Sequence, residues 1–272
     1  MDKGPLISIL MNCFNGEEFL KESIESVIKQ TYKNWELIFW DNQSTDNSAE
    51  IASYYKDKRI FVFKSSSHTN LGKARQNALK KARGDYLAFL DVDDLWEKEK
   101  LTKQLREFKD KNIGISFTNS LYFSTKRKEN LYKSNSKIKV NTKSLITNYT
   151  LCLNSIMIDL NKLKLLEYDF DHNYSHICDF DLVVRLSAIS KVKYFKKVLS
   201  SWRIHGDNES FKRRELFFNE IEKWCNYHIK NNYLANYKKE IRELEILNFS
   251  RKIVSSFKFY YQNFNYKNIK NI

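Results

Sequence analysis

Asp91, Val92, Asp93 and Asp94 follow directly on the apolar run Tyr86-Leu87-Ala88-Phe89-Leu90. Carboxylates at the C-terminal end of a buried strand stand where open α/β sheets bind ligands. At i and i+2 they supply hard oxygen donors suited to Mg²⁺ or Mn²⁺, ions that keep positions for water and substrate phosphates. A metal–diphosphate site is the chemistry this pattern suggests. Solvated loop aspartates are the alternative for an isolated D-x-D.

The elements upstream can deliver more groups to the same edge. Leu6 to Met11 reads as a buried strand, Asn12-Cys13-Phe14-Asn15-Gly16 as a loop, and Glu17 to Gln30 as a helix with Leu20, Ile24, Val27 and Ile28 on one face. Trp35 to Trp40 is the next strand, ended by Asp41-Asn42-Gln43-Ser44-Thr45-Asp46, where Thr45 or Asp46 can cap a helix. A third strand spans Ile60 to Phe63. Asn70-Leu71-Gly72 opens a helix to about Ala82, and Gly84-Asp85 turns into the strand bearing the carboxylates. This β-α-β-α-β-α-β series implies a largely parallel sheet wrapped by helices.

Beyond the acidic loop, Lys100 to Phe108 has helical spacing, and Ile113 to Phe117 and Ser155 to Ile158 read as short strands. Ser124 to Lys143 is polar and basic, a lid loop or an exposed hairpin. Asp179 precedes a helix carrying Leu182, Val183, Leu186 and Ile189, and Val192 to Ile204 resembles one or two strands. From Phe211 the chain reads as helical, basic and aromatic-rich. The 272 residues suffice for one large domain with an appendage.

Lys and Arg number 47 against 33 Asp and Glu, a net charge of +14 that favours polyanionic partners. Cys13, Cys152, Cys178 and Cys225 form no C-x-x-C, so neither zinc nor a disulfide framework is expected, and a reducing cytosol fits. Neither a signal peptide nor a bilayer-spanning stretch is evident.

Four segments resemble the family-2 glycosyltransferases of GT-A fold: Ser8 to Gly16, Asp41 to Asp46, Asn70 to Arg75, and Gly84 to Trp96. Weaker likeness continues through Cys178-Asp179-Phe180-Asp181-Leu182 and Trp202-Arg203-Ile204-His205-Gly206-Asp207-Asn208. The resemblance covers 1–210 and implies there a Rossmann-like, mostly parallel sheet flanked by helices; the helical, basic, aromatic C-terminal appendage over 211–272 is read from its own residues. It implies transfer, with inversion, of a sugar from a nucleotide diphosphate, expected to be UDP, to a hydroxyl of a glycan or lipid-linked acceptor. Mn²⁺ or Mg²⁺ would assist at the diphosphate. Phe14 and Asp41 would frame uracil, with Asn15, Arg75 and Asp91 also on the nucleotide. Asp93 would bind the metal with His205, whose imidazole is more natural on Mn²⁺ than on Mg²⁺. Asp94 would contact the donor sugar or orient the loop.

Asp179 matches the family's general base, with Asp181 as the fallback and an N-cap as the structural alternative. Two departures stand out: Cys178 replaces the usual glutamate, and Gln76 separates Arg75 from Asn77. A sugar-phosphate nucleotidyltransferase is a rival, but its glycine-rich, basic phosphate loop is absent after strand one. A basic nucleic-acid-binding module is another, but no nucleic acid is expected because the carboxylate mouth would repel a phosphate backbone. The expected location is cytoplasmic, peripheral on the inner face of the membrane. Lys and Arg with Trp224, Tyr227, Phe257, Phe259, Tyr260, Tyr261 and Phe264 suit an anionic membrane surface, or could pack on the catalytic domain or a second subunit.

Overall fold

The computed structural model describes residues 4–133, 138, 140–206, 208 and 212–268, with side chains up to residue 255. The aromatics Phe257 to Phe264 invoked for membrane contact therefore lie outside the described side chains. The first half alternates β1 (Ile7–Cys13), α1 (Glu17–Ile28), β2 (Trp35–Asp41), α2 (Ser48–Tyr54), β3 (Ile60–Lys64), α3 (Leu71–Leu79) and β4 (Tyr86–Phe89). There follow β5 (Leu95–Trp96), α4 (Lys100–Leu105), β6 (Ile113–Phe123), β7 (Lys128–Asn130), α5 (Thr142–Thr147), β8 (Ile156–Asp159) and α6 (Leu160–Leu163). The chain continues with α7 (Cys178–Ile189), β9 (Lys191–Arg203), α8 (Arg214–Lys230) and α9 (Lys238–Asn268).

One sheet runs β3-β2-β1-β4-β8-β6-β9-β5, with β7 paired to β6. The expected parallel series holds from β3 to β4. Beyond β4 the sheet is mixed: β8 is antiparallel to β4 and β6, β9 is parallel to β6, and β5 is antiparallel to β9. Each parallel pair has helices in the chain between its strands, α1 to α3 across β1 to β4 and α5 to α7 between β6 and β9, as parallel neighbours need.

Alternation along β1 sorts the core. Ile7, Ile9 and Met11 join Leu20, Ile24 and Val27 of α1 on one face, while Leu10 turns to the cluster holding Leu87, Phe89, Phe180 and Trp224. A strand buried on both faces loses its polar alternation, which is why it reads as a continuous apolar run. The C-terminal helices share the second cluster: Ile221, Trp224, Cys225 and Ile241 are at most 2% exposed.

β6 is longer than its apolar run because Thr118, Asn119 and Ser120 are buried yet satisfied. The Asn119 amide donates to the Tyr132 carbonyl at 2.8 Å, and the Ser120 and Ser200 hydroxyls meet at 2.6 Å. The basic stretch after Ser124 begins as a hairpin, with β7 on β6. Residues 134–137 and 139 of the expected lid lie outside the described residues.

Candidate active site

The carboxylate-bearing loop is fixed from below. Ser23 of α1 donates to the carbonyls of Val92 and Asp94 at 2.7 and 2.8 Å. Gly16 lies so close to Val92 that a Cβ there would stand 2.5 Å from its methyl, so the β1–α1 loop and the acidic loop touch. Asp94 is 1% exposed; its oxygens accept from the Asn154 amide at 2.7 Å and the Arg203 N–H at 3.0 Å. Burial, then the charges of Asp93 and Asp91, push its pKa up. Of the two expected roles, the geometry supports loop orientation; the donor-sugar contact is corrected, because both oxygens are committed inside the protein.

Asp93 remains in the mouth, and the end of β9 brings its partner. His205 Nε2 lies 2.9 Å from Asp93 Oδ2. The Asn208 amide donates to the same carboxylate at 3.3 Å, and its carbonyl accepts the His205 N–H at 2.8 Å. Arg203 donates to the Asp93 carbonyl at 2.9 Å, pairs with Glu22 at 2.7 Å, and sits 4.4 Å above the Phe19 ring. Adjacent donors on an octahedral ion with bonds of about 2.1 Å are about 3.0 Å apart. The Asp93–His205 pair fits that spacing and supplies oxygen and imidazole donors compatible with Mn²⁺. Among the described residues no group of three His, Cys, Asp or Glu forms a metal cage, so substrate or water would complete the shell.

A second cluster gathers on Arg75. Gly72 makes it reachable: a Cβ there would stand 2.1 Å from the Tyr174 carbonyl oxygen, so α3 begins pressed against the segment leading into α7. Arg75 is buried, its Nη1 donating to Cys178 Sγ at 3.1 Å, with Asp91 at 3.6 Å and Asp179 at 3.8 Å. Desolvation disfavours its charge, but Cys178, Asp91 and Asp179 outweigh this and raise its pKa. Asp91 is pushed up to about 6, first by desolvation and then by Asp93 and Asp179, against the pull of Arg75. Its side chain remains 41% exposed on the open side of the mouth. Cys178 is pushed up to about 11 by burial, so it stays a thiol at neutral pH.

Asp179 is 17% exposed and accepts from the Tyr149 hydroxyl at 3.1 Å. It lies in the first turn of α7 and does not cap it, correcting the N-cap alternative. Glu220 of α8 instead anchors the loop leading into α7, accepting the N–H groups of Ser175, His176 and the N-cap residue Ile177 at 2.8, 2.8 and 3.1 Å. The Asp179 carboxylate is turned instead to Arg75 and Tyr149 at the mouth. Asp181, the fallback base, is fully buried, paired with Arg185 at 2.6 Å and accepting from Trp224 at 2.9 Å. It belongs to the core.

At the far side of the mouth, Asp41 is fully buried. Its Oδ1 accepts the Ser44 N–H at 2.9 Å, while Oδ2 has no hydrogen-bond partner. An unpaired buried acceptor is costly, so Oδ2 fits a ligand N–H. Phe14 is 50% exposed rather than core, and packs against His68 at 4.3 Å between ring centroids with the planes tilted by 55°. Asn15, at φ 54°, spends its side chain on the Thr45 N–H at 2.8 Å and so braces the two loops instead of facing a ligand. Neither Thr45 nor Asp46 is the cap residue of α2, which is Asn47; Asp46 accepts the Ser48 N–H at 3.0 Å.

Sequence reasoning missed His68, Tyr149, Glu220 and the bridging role of Asn208. Only Asn208 carried a signal, standing three residues after His205.

The family model for glycosyl transferase family 2 matches residues 8–168. The chain belongs to that family. It is 31% identical to the Escherichia coli UDP-Glc:alpha-D-GlcNAc-diphosphoundecaprenol beta-1,3-glucosyltransferase WfgD over 74% of this chain and 86% of that protein. Against the putative teichuronic acid biosynthesis glycosyltransferase TuaG of Bacillus subtilis it is 37% identical over 42% of this chain, spanning 46% of TuaG. The fold matches TarS of S. aureus in complex with UDP, with TM-score 0.67, 20% identity, and coverage of 85% and 70% of the two chains. It also matches the Pyrobaculum calidifontis mannosyltransferase PcManGT in complex with GDP-Man and Mn²⁺, with TM-score 0.68, 12% identity, and coverage of 90% and 71%. The fold is therefore GT-A and the protein a glycosyltransferase. The nucleotidyltransferase and nucleic-acid readings lose their ground. The family match ends before Asp179 and His205, which the tertiary structure brings to the matched carboxylates.

Proposed function

We propose that this glycosyltransferase moves a sugar from a UDP-sugar to a hydroxyl of a lipid-linked saccharide, with inversion at the anomeric carbon. The observation that carries the reading is the Arg75 guanidinium between Asp91 and Asp179, at 3.6 and 3.8 Å. One buried cation thus ties a donor-side carboxylate to the candidate base. Asp41 Oδ2 would accept a uracil N–H beside the Phe14 ring. Asp93 and His205 would hold Mn²⁺ or Mg²⁺, which when bound neutralises charge on the diphosphate.

Asp179 takes the acceptor proton as the hydroxyl oxygen bonds to the anomeric carbon and the bond to the diphosphate oxygen breaks. The pair of electrons leaves with UDP. Tyr149 and Arg75 orient Asp179 for that transfer. Cys178, a thiol facing Arg75, offers no ionised nucleophile for a covalent route. Residues 1–210 would carry donor chemistry, and 211–272 would serve the acceptor.

The membrane part of the reading rests on α9. Ile246, Phe249 and Ile253, spaced i, i+3 and i+7, are 65, 64 and 40% exposed, opposite the inward Ile241 and Leu244. No helix among the described residues is long and apolar enough to cross a membrane. Attachment at the cytoplasmic face would then be peripheral, and vesicle co-sedimentation at low salt tests it: no pelleting with anionic lipid overturns it.

A screen of nucleotide sugars with Mn²⁺, reading released nucleotide diphosphate, tests the donor and metal. Release from UDP-sugars that stops in EDTA is expected. Full turnover in EDTA overturns the metal role.

A further inference from the structure

Asp179 opens onto a cavity of about 400 Å³ between α5, the start of α7, α8 and α9. Its walls are mainly hydrocarbon and aromatic: Ile146, Phe180, Phe217, Phe218, Ile221 and Leu244. Arg214 and Arg251 line it as well, and among the described residues neither has an ion-pair partner. His176 also lines the chamber, and its Nε2 is buried without a hydrogen-bond partner. A space that is apolar on its walls, carries two uncompensated guanidinium groups and ends on a carboxylate matches one kind of molecule. It must carry hydrocarbon, a phosphate ester and a hydroxyl in turn. Guanidinium groups suit phosphate oxygens through charge-assisted, two-pronged hydrogen bonds.

We infer that this chamber is the acceptor site and that it takes the phosphate and the first hydrocarbon units of a lipid-linked saccharide. Arg214 and Arg251 bind the phosphate, Phe217 and Phe218 cover the chain, and the saccharide hydroxyl reaches Asp179. This rests on the proposed reaction and adds the residues that choose its acceptor. It also gives Glu220 a second consequence. The carboxylate that positions Asp179 belongs to α8, the helix that supplies Phe217, Phe218 and Ile221 to the chamber. Base and acceptor wall are therefore parts of one rigid unit.

The test uses the full chain saturated with UDP and titrated with farnesyl diphosphate, inorganic diphosphate and dihexanoyl phosphatidylglycerol. Tryptophan fluorescence reads binding, since Trp224 packs 4.9 Å from the Phe180 ring that lines the chamber. Farnesyl diphosphate should bind at least about tenfold tighter than either other probe, a margin of about 1.4 kcal/mol. The R214E/R251E double variant should weaken it by a further factor of about ten, with UDP affinity within about twofold of the parent. Phe217→Ser, at a half-exposed position that tolerates change, should weaken farnesyl diphosphate and leave inorganic diphosphate unaltered. Unchanged binding in the double variant overturns the inference. So does displacement of the probe by UDP, or equal affinity for phosphatidylglycerol, which would make the chamber a headgroup site. Failure of the parent chain to bind UDP would strike the donor reading and leave the chamber result standing.

Discussion

The two sides of the active site are built differently. On the donor side, Asp41 ends β2, and Asp91 and Asp93 stand in the loop after β4, so each carboxylate is placed by the strand it follows, on either side of β1 in the parallel half of the sheet. On the acceptor side the contacts span longer stretches of chain: Arg75 meets Cys178 across 103 residues and Glu220 pins His176 across 44, while at the metal position between the two sides His205 meets Asp93 across 112. The donor side is thus a property of local chain order, robust to change elsewhere. The acceptor side depends on the packing of α7 against α8, and a core fault there should disturb catalysis without touching nucleotide binding.

The largest effect is expected where the two sides meet. Asp93→Ala should cut turnover by about a thousandfold or more, since charge stabilisation by a metal contributes several kcal/mol. Folding should survive, because Asp93 is partly exposed and Asp94 holds the loop. Native-like kcat in a circular-dichroism-intact variant would remove Asp93 from the reaction.

Asp179→Asn should lower kcat by roughly 10²–10⁴-fold at unchanged UDP affinity, the range for a lost general base. Asp181→Asn gives the contrast. It breaks a buried ion pair at a cost of about 3–5 kcal/mol in stability, with activity per folded molecule retained. A catalytic loss at Asp181 exceeding that at Asp179, measured at equal folded fraction, would reverse the two assignments.

Asp41→Asn tests the donor side alone. Replacing the unpaired acceptor should weaken UDP by about tenfold, within the 1–3 kcal/mol that an unmatched buried polar group costs. ADP and GDP should be little affected. Equal losses for all three by calorimetry would empty the uracil pocket.

The smallest effect is expected on α4, at Lys100. Lys100 is buried against the Trp96 ring at 4.3 Å and donates to Gln104 at 2.8 Å, while Gln104 donates to the Ser116 and Ser155 carbonyls. Burial pushes its pKa from 10.5 down to about 7. Between those values the unfolded chain binds more protons than the folded one, so stability rises with pH over that window. Melting temperature should climb from pH 7 toward 9, and K100M should flatten the rise. An identical slope in the variant would mean that Lys100 is not the titrating group.

The strands from Leu6 to Leu90 were legible because each is an apolar run closed by a turn and followed by a helical period, and their carboxylates stand where those runs end. The longer course of β6 was hidden, since Thr118, Asn119 and Ser120 read as polar until their partners across the sheet are known. Pattern could also not separate Asp179 from Asp181, two acids on one helical turn. The sequence by itself determined which chemistries are available and, through local periodicity, the donor edge of the sheet. Tertiary structure alone decided that Asp181 is spent on Arg185, that Asp94 is locked inside, and that Glu220 anchors the loop before α7, whose first turn carries Asp179 to Arg75 and Tyr149. The physical reason is that a carboxylate's role depends on which donors reach it, and here those donors come from segments far away along the chain.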